Sequence, residues 1–398
     1  MRGTLVLPTG FGKTRVGITA AQRFQKGNPT HRIIIVVPSD PIKEQWIEEL
    51  SRFKVKADVI TMFMAAKTNY ECTLLIVDEI HKCAAPTLVK LFENIKFRLI
   101  LGLTATFERA DGRDKILAKF APPVDTVSLK EAVENGWLSK FVEYKVLISP
   151  PDIEVYEKVN REFQEHFAFF NHDFALAMNC ATDWKVRLAE AKRRVGEGND
   201  WHDMNKQLII HASGFSRTLQ ARKKYIYEHP KKIEIAKLIL EHRLDKKCIT
   251  FSSTIAMAEQ LAKSTGIGKV YSAKDTAKKG RQTLDEFKSQ ETGTLHAIFK
   301  LNEGFNDPKI SVGITLGFNS SINSSKQRLG RIIRANNPDE VKENFTLVLR
   351  GTQDEKWAQN SLSGRDFIVI DEDGLKNLLD GKEFNQKVDR PSHIMFTA

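Results

Sequence analysis

The sequence predicts an α/β protein in which a helical segment joins two doubly wound parallel-sheet domains. Short apolar runs alternate with amphipathic stretches over residues 1–148, and the same alternation returns after residue 230. The runs are apolar on both faces, which is typical of parallel strands that helices cover on both sides. Residues 153–229 lie between the two regions and have no strand pattern. Together with a length of 398 residues, these observations predict two α/β domains.

Each region shows the βαβ alternation of a doubly wound sheet. In the first, the predicted strands are TLVLP, RIIIVVP, LLIVDE and RLILGLTAT, and the stretches KTRVGITAAQRFQ and PIKEQWIEELSRF have helical spacing. In the second, we expect strands at KCITFSS, GKVYSA, TLHAIFKL, ISVGITLGF and FTLVLRG. The two prolines of ISPPD, residues 148–152, stop regular structure and favour a boundary there.

These patterns divide the chain into four parts. We expect a first domain at 1–148, a helical inter-domain segment at 149–229, a second domain at 230–352 and a C-terminal extension at 353–398. In the extension, DFIVID is expected to add an edge strand.

The helical segment contains two patterns of its own. Four phenylalanines recur at helical spacing and are expected to pack in a core: Phe163, Phe167, Phe170 and Phe174. Basic residues crowd the stretch 185–224, which is either a solvated helix face or a contact with a phosphate backbone. For the second possibility, the expected contact residues are Arg222, Lys223 and Lys224.

The composition restricts the class of protein. The net charge of +11 and the pI near 9.3 fit either a solvated basic surface or a nucleic-acid-binding surface. There is no run of about 18 apolar residues, so no membrane span is expected, and the N-terminus lacks the features of a signal peptide. The scattered cysteines form no C-x-x-C pair. No zinc site or disulfide framework is therefore expected, and the cytoplasm is the expected location.

The segment LVLPTGFGKT, residues 5–14, has the features of a phosphate-binding loop. It follows a predicted strand and opens a predicted helix, although Leu7 stands where the general pattern has glycine. The backbone N–H groups of such a loop wrap a phosphate at a helix N-terminus. Lys13 is expected to reach the β- and γ-phosphates, and Thr14 to bind Mg²⁺. The residues expected to hold the nucleotide are Pro8, Thr9, Gly10, Phe11, Gly12, Lys13 and Thr14.

Two adjacent carboxylates follow the apolar run of LLIVDEIHK. Asp78 and Glu79 are expected at the carboxyl end of a buried strand, where ligands bind in open α/β sheets. Asp78 is expected to hold Mg²⁺ through its waters, and Glu79 to polarise the attacking water. Together with the phosphate-binding loop, this pair favours hydrolysis over transfer to a second substrate.

An arginine-rich helix is predicted in SSKQRLGRIIRA, near the end of the second domain. Its residues Gln327, Arg331 and Arg334 share one helical face. Alone, such a helix is usually surface or a nucleic-acid contact. Opposite a phosphate-binding loop, arginines from a second domain neutralise charge on the γ-phosphate, which is worth about 10³–10⁵ in rate. The residues expected to be catalytic are Lys13, Asp78, Glu79, Gln327, Arg331 and Arg334.

Several segments, taken in order, resemble the motifs of one family. In the first domain, LPTGFGKT resembles motif I, VVPSDPIKEQW motif Ia, VDEIH the DEAH-type motif II and GLTATFERADG motif III. In the second, CITFSS resembles motif IV, NEGFNDP motif V and QRLGRIIR motif VI. The family is superfamily 2 of the helicases and translocases, whose motif I often replaces the first glycine, as Leu7 does here. SLKEAVENGWLSKFVEYKVLIS also resembles a segment of its XPB-like and phage branch-migration members.

The resemblance covers nearly the whole chain and implies two RecA-like domains that use ATP with Mg²⁺. It implies that His81 couples the nucleotide site to the other domain and that Thr104 and Thr106 link hydrolysis to movement. Gly304 and Asn306 of motif V would lie between nucleotide and nucleic acid. The residues that would contact the phosphate backbone are Pro38, Ser39, Thr61 and Ser252.

The expected function is an ATP-dependent nucleic-acid motor. A DNA helicase of the branch-migrating or repair and recombination type is favoured, acting as a monomer on single-stranded or branched DNA, in the cytoplasm or, if phage-encoded, in the host cytoplasm. A double-stranded DNA translocase of the restriction-motor type, an RNA helicase and a non-hydrolysing binding or annealing factor stay open as alternatives.

Two departures from the family pattern stand out. Phe107 stands where relatives usually have proline, and Asn306 where many have aspartate. Relatives also place an adenine-recognition segment before motif I, whereas only six residues precede Leu7 here. Either the chain is truncated, or its selection of the base is loose.

Overall fold

Two parallel sheets and a helical subdomain make up the molecule, and they confirm the predicted fold class. The computed structural model describes residues 2–27, 29–109, 111–196, 198–272, 275–298, 305, 307–318, 322–334, 340–384 and 387–389. Among these residues, no helix combines the length and the apolar character that crossing a membrane requires.

The first sheet has six parallel strands in the order β3-β2-β4-β5-β1-β6. Its strands are β1 (Arg2–Val6), β2 (Ile33–Val37), β3 (Asp58–Thr61), β4 (Tyr70–Asp78), β5 (Ile95–Thr104) and β6 (Pro123–Thr126). The strand β2, between β3 and β4, is buried along its whole length. Its alternate residues enter two separate cores, Ile34 and Val36 one and Ile33 and Ile35 the other. Two cores require helices on both faces, which is why this strand is apolar throughout.

The helices of the first domain connect these strands. They are α1 (Lys13–Gly27), α2 (Asp40–Arg52), α3 (Met62–Ala65), α4 (Leu91–Asn94), α5 (Asp114–Ala118) and α6 (Leu129–Glu134), with a 3₁₀ turn at Ile80–Ala84. Phe107 is 8% exposed and packs in the core beside β4. The residue that replaces the usual proline therefore serves as an apolar anchor for its segment.

The helical subdomain consists of α7 (Ile153–Ala168), α8 (Phe174–Thr182), α9 (Trp184–Val195) and α10 (His202–Glu228). Phe163 and Phe170 are buried in its core against Phe215 of α10. The predicted stripe does not lie on one helix, because α7 ends at Ala168 and Phe174 begins α8. Phe174 is half exposed, so the core prediction does not hold fully for it.

The second sheet has eight strands in the order β14-β13-β7-β12-β11-β8-β10-β9. Its strands are β7 (Phe141–Ile148), β8 (Lys247–Ser252), β9 (Lys269–Tyr271), β10 (Gly293–Ile298), β11 (Val312–Thr315), β12 (Lys342–Leu349), β13 (Phe367–Asp371) and β14 (Lys387–Asp389). Its helices are α11 (Pro230–Glu241), α12 (Ile255–Thr265), α13 (Ala277–Ser289), α14 (Ile322–Ile332), α15 (Gln353–Ser361) and α16 (Glu372–Leu379). All pairings are parallel except that of β13 with β14.

Two strands differ in place from what the sequence predicts. No strand was predicted for the residues of β7, which we expected within the first domain, but β7 pairs with β12 along its full length and belongs to the second sheet. The reason is physical: β7 is largely buried and needs strands on both sides, which β12 and β13 supply. β13 is accordingly not an edge strand, because β14 lies outside it. We therefore propose that the second domain begins near residue 141 and includes the extension to residue 389.

A buried ion pair joins the extension to the second domain. Lys232 of α11 and Asp354 of α15 are both 0% exposed, and their Nζ and Oδ2 atoms lie 2.6 Å apart. Lys232 Nζ also donates to the carbonyl of Leu316 at 2.8 Å. Each charge is stable at this depth only because the other is present.

We predict that Lys232→Met lowers the free energy of unfolding by about 3–5 kcal/mol, because it leaves the Asp354 carboxylate buried without its partner. Urea denaturation measures the change. The matched control is Lys237→Met on the same helix, whose partner Glu241 is 3.7 Å away at the surface, and which should cost less than about 1 kcal/mol. Equal losses in the two variants would contradict the prediction.

Candidate nucleotide site between the two domains

The phosphate-binding loop connects β1 to α1 in the form that the sequence predicts. Gly10 and Gly12 have φ angles of +92° and +93°, a conformation that residues with a Cβ rarely adopt. α1 begins at Lys13, directly after the loop, so the positive end of the helix dipole faces the loop. Leu7 is 4% exposed, and its backbone N–H donates to the carbonyl of Thr104. It therefore anchors the end of β1 in the core.

Asp78 and Glu79 lie at the carboxyl end of β4, and their environments separate their pKa values. The pKa of Asp78 is raised to about 6, mainly by burial and secondly by the adjacent Glu79 carboxylate. The indole N–H of Trp46 donates to Asp78 Oδ2 at 3.0 Å and fixes that carboxylate. Burial also opposes ionisation of Glu79, but Lys13 and His81 outweigh it and lower its pKa to about 2.

Glu79 is contacted on both sides by basic side chains. Its Oε1 lies 3.4 Å from Lys13 Nζ, and its Oε2 lies 3.3 Å from His81 Nδ1. Its backbone is left-handed, with φ +50°, a conformation that costs about 1–3 kcal/mol and is concentrated at functional sites. The chain therefore turns sharply after β4, and the Glu79 carboxylate faces the phosphate-binding loop.

His81 connects Glu79 to residues 104–106 at the end of β5, which have the sequence TAT. Its Nδ1 is 2.9 Å from Thr104 Oγ1, which donates to the carbonyl of Thr106 at 2.8 Å. Arg109 donates to the carbonyl of His81 at 2.9 Å and is held by a salt bridge to Asp111. A continuous set of contacts therefore runs from Glu79 to the segment after β5.

The second domain reaches the phosphate-binding loop through α14. Backbone pairing links Leu138 to Arg334, and Ser139 donates its N–H to the carbonyl of Ile333 at 2.8 Å. The approach is close, because a Cβ at Gly330 would lie 2.4 Å from Thr9 of the loop. The domains are thus in direct contact beside the loop.

A cavity of about 450 Å³ lies at this contact. Catalytic candidates from both domains line it: Lys13, Asp78, Glu79, Gln327, Arg331 and Arg334. The cavity is also lined by the basic residues Arg15 and Lys82 and by the acidic residue Glu49. Basic lining residues therefore outnumber acidic ones. Burial lowers the pKa of Arg334 to about 10, so this residue still carries its charge at neutral pH. The cavity is therefore complementary to a polyanion such as a nucleoside triphosphate.

Two family descriptions match successive parts of the chain. "Type III restriction enzyme, res subunit" matches residues 1–72 and 64–109, and "Helicase conserved C-terminal domain" matches residues 231–336. The first range contains the phosphate-binding loop and the Asp78–Glu79 pair, and the second contains Gln327, Arg331 and Arg334. The matches thus fall on the two halves of the cavity.

Curated relatives extend the similarity over most of the chain. It is 24% identical to a DNA 3'-5' translocase XPB2 of Sulfurisphaera tokodaii, across 89% of this chain and 79% of that protein. It is 22% identical to a DNA 3'-5' helicase XPB of Mycobacterium tuberculosis, across 94% of this chain and 63% of the relative. A putative ATP-dependent RNA helicase of African swine fever virus is 30% identical over 31% of this chain and 29% of the viral protein.

Solved structures share the fold at low identity. The helicase domain of Pyrococcus furiosus Hef has a TM-score of 0.54 at 18% identity and covers 90% of this chain and 95% of its own. Yeast Dbp5 bound to RNA and ADP BeF3 has a TM-score of 0.57 at 11% identity, over 95% of this chain and 88% of its own. The two family matches and this two-domain fold agree with the order of the motifs along the chain.

The chain is a superfamily 2 helicase of the XPB-like type. As such it is an ATP-hydrolysing enzyme that binds nucleic acid. Its two sheets are the RecA-like domains of the family, and the cavity between them is where the family residues from each domain meet.

The predicted nucleic-acid contacts of this helicase are not all equally accessible. Pro38 and Ser39 follow β2 and are partly exposed, and Thr61 ends β3, where its Oγ1 accepts the N–H of Met64 at 3.4 Å. Ser252 is 0% exposed at the end of β8. A phosphate cannot reach a side chain at that depth in this arrangement, and the contact at Ser252 stays a prediction. Gly304 and Asn306 lie outside the described residues.

The basic stretch 185–224 also requires a correction. Arg222 is 7% exposed, its guanidinium lies 4.1 Å from the centre of the Phe163 ring, and it donates to Tyr156. It is a packing residue and is not available to a phosphate backbone. Arg193 and Arg194 are each bonded to Glu190 at 2.7 Å, which reduces the positive charge of α9.

Three supporting residues of the helicase were not identified from the sequence. Trp46 fixes Asp78, Arg109 fixes the segment of His81, and Arg365 of the extension supports α14. Arg365 donates to Ser325 Oγ at 2.5 Å and pairs with Glu143 at 3.2 Å. In each case the partner is distant in sequence, so a local motif carries no signal for the contact.

We predict that Gly330→Ala lowers kcat for ATP hydrolysis about 100-fold, because the new Cβ would displace α14 from the loop and a misplacement of about 1 Å has that effect. Steady-state kinetics measures it. Gly27→Ala is the control, since a Cβ there meets nothing within 4 Å. An unchanged kcat for Gly330→Ala would mean that this contact is not needed for hydrolysis.

We predict that Trp46→Phe raises the Mg²⁺ concentration for half-maximal hydrolysis about 10-fold, because residues that orient a metal ligand have effects of this size. An apolar aromatic ring remains in the core, but it is smaller than indole and has no N–H, so the hydrogen bond to Asp78 is lost. A magnesium titration of the ATPase rate measures the change. Trp184→Phe, at a side chain 60% exposed, serves as the control. An equal Mg²⁺ requirement in Trp46→Phe and the parent would limit Trp46 to a packing role.

Proposed function

We propose that this chain is a DNA motor that hydrolyses ATP at the interface of its two domains. The observation that carries the proposal is the single cavity in which Lys13, Asp78 and Glu79 of one domain face Arg331 and Arg334 of the other. Phosphoryl transfer to water requires four components: a cation on the phosphate-binding loop, a carboxylate that binds the metal ion, a carboxylate that orients the water, and arginines from a second domain. In this proposal the protein moves along branched or single-stranded DNA and acts as a monomer.

The residues of the cavity fit a nucleotide with Mg²⁺. Gly10 and Gly12 have positive φ angles that free the loop backbone to wrap a phosphate, and a Cβ at Gly10 would lie 2.7 Å from the carbonyl of Gly330. Thr14 and Asp78 would hold the metal ion, which would supply positive charge to the β- and γ-phosphates. Lys13 would exchange Glu79 for phosphate oxygens, and this exchange would free the Glu79 carboxylate to orient the attacking water.

The contacts around His81 support a role in coupling. His81 touches both Glu79 and Thr104, so a change in the position of Glu79 would be transmitted to the TAT segment. Gln327, Arg331 and Arg334 would sense the γ-phosphate from the second domain. Closure on ATP and reopening after hydrolysis would shift the grip of the two domains along one strand.

The comparisons favour DNA over RNA as the track. The relatives named as DNA translocase or DNA helicase align with about nine-tenths of the chain, whereas the viral RNA helicase aligns with 31%. For the backbone contact we retain Pro38, Ser39 and Thr61, which lie at the ends of β2 and β3. Phe63, 66% exposed beside Thr61, adds an apolar surface on which a base can stack.

The same proposal includes a role in DNA repair or recombination. It also assigns the sequence DEIH to the DEAH type of motif II. The cytoplasm remains its proposed location, and the four buried cysteines, all unpaired, fit a reducing compartment. A double-stranded DNA translocase, an RNA helicase and a non-hydrolysing binding factor are separated by the following experiment.

The experiment is steady-state ATP hydrolysis with no polymer, single-stranded DNA, duplex DNA, a four-way junction and RNA. We expect the junction or single-stranded DNA to stimulate hydrolysis most strongly. Lys13→Ala should abolish the activity, and Glu79→Gln should reduce kcat by about 10²–10⁴-fold, the usual contribution of a general base. Lys26→Ala, at the exposed far end of α1, is the matched control and should behave as the parent.

Each other pattern identifies an alternative. Stimulation by duplex alone would favour the translocase, and stimulation by RNA in place of DNA would favour an RNA helicase, which a 2′-hydroxyl dependence would confirm. If the protein binds a polymer but hydrolyses ATP in none of the mixtures, and Glu79→Gln binds the polymer equally well, the protein is a binding factor and not a motor.

A further inference from the structure

We propose that Trp137 is the platform on which the base of the bound nucleotide stacks. The inference rests on the proposed function, since it concerns the same cavity, but it addresses a part of the ligand that the phosphate-binding residues do not contact. Trp137 lies between α6 and β7 in the segment that links the two domains. Its side chain lines the cavity together with Gly10 and Arg334, and it is 48% exposed.

The sheet topology gives the nucleotide a direction. β1, which carries the phosphate-binding loop, lies between β5 and β6, and β4 lies beyond β5. Asp78 and Glu79 end β4, so the γ-phosphate that meets them must point to that side of the loop. The nucleoside end must then leave on the opposite side, where β6 lies. The chain continues from β6 through α6 to Trp137, which is therefore on the nucleoside side.

The local packing holds the Trp137 ring in place. It makes a perpendicular contact with Phe11 of the phosphate-binding loop, with ring centroids 5.4 Å apart and an interplanar angle of 88°. Leu138, the next residue, is buried between the domains and pairs with Arg334. The ring is thus fixed relative to both the loop and α14, while about half of its surface remains accessible to a ligand.

The alternative aromatic platform is much less accessible. Among the described residues that line the cavity, Phe305 is the other aromatic side chain, and it is 3% exposed. A half-exposed aromatic ring that lines a nucleotide cavity can bind the base, because a flat base stacks on the ring and excludes water from both surfaces. Because every base has a π face, stacking discriminates weakly between bases. The expected ligand class is therefore a nucleotide of any base.

The test compares ADP with inorganic pyrophosphate, which share a diphosphate and differ by the nucleoside. Dissociation constants of both are measured by calorimetry, with Mg²⁺, for the full chain and its Trp137→Ala and Trp137→Phe variants. We expect Trp137→Ala to raise the dissociation constant of ADP about 10-fold and to leave that of pyrophosphate unchanged, as loss of one base stack would. Trp137→Phe should restore most of the ADP affinity, because its ring still stacks.

Two further readouts separate stacking from a structural role. The KM for ATP should rise in Trp137→Ala with little change in kcat, and ADP should quench tryptophan fluorescence in the parent but not in Trp137→Phe. Trp184→Phe, at an exposed position on α9, is the matched control and should retain the quenching.

The inference is overturned if Trp137→Ala weakens ADP and pyrophosphate equally, since Trp137 would then only support the loop through Phe11, or if it weakens neither. Failure of the proposed function looks different. In that case the parent chain would bind neither ligand, or binding would survive Lys13→Ala.

Discussion

The close approach of Gly10 and Gly330 is the contact on which the arrangement of the cleft depends. A Cβ at Gly10 would lie 2.7 Å from the carbonyl of Gly330, and a Cβ at Gly330 would lie 2.4 Å from Thr9. With a side chain at either position, the two backbones would have to separate. Arg331 follows Gly330 on α14 and Arg334 lies just beyond the end of that helix, so separation would carry both arginines away from Lys13. Water would also enter the gap and weaken every charge interaction across it.

Within this contact, the charges are arranged for an anion. Lys13 and His81 hold Glu79 ionised, while burial raises the pKa of Asp78. Arg334 is partly buried beside the phosphate-binding loop and keeps its charge at neutral pH. In the proposed function, a phosphate chain and a metal ion would complete the pairing of these groups, which are costly to bury alone. The same reasoning explains why Trp46, an apolar residue with one donor, lies behind Asp78.

The sequence was sufficient for the parts of the site that are contiguous in the chain. The phosphate-binding loop and the end of β4 place Lys13 and Glu79 through local strand-turn-helix geometry, which a motif encodes. Arg222 and Ser252 were assigned by residue type within a motif or a basic run, but burial depends on which distant elements pack over them. β7 presented the same difficulty: its residues fell within the predicted first domain, because sequence pattern alone does not specify which of two sheets a segment joins.

The sheet assignment of β7 determines where the molecule can bend. β7 is hydrogen-bonded to β12 and β13, so it must move with the second domain. The connection between the domains is therefore confined to the residues between β6 and β7, a segment that contains α6 and Trp137. Leu138 and Ala132 of this segment pack against Leu329 of α14. A ligand group that contacts Trp137 would touch the hinge itself, so occupation of the nucleoside side would bias domain closure as directly as the phosphates do.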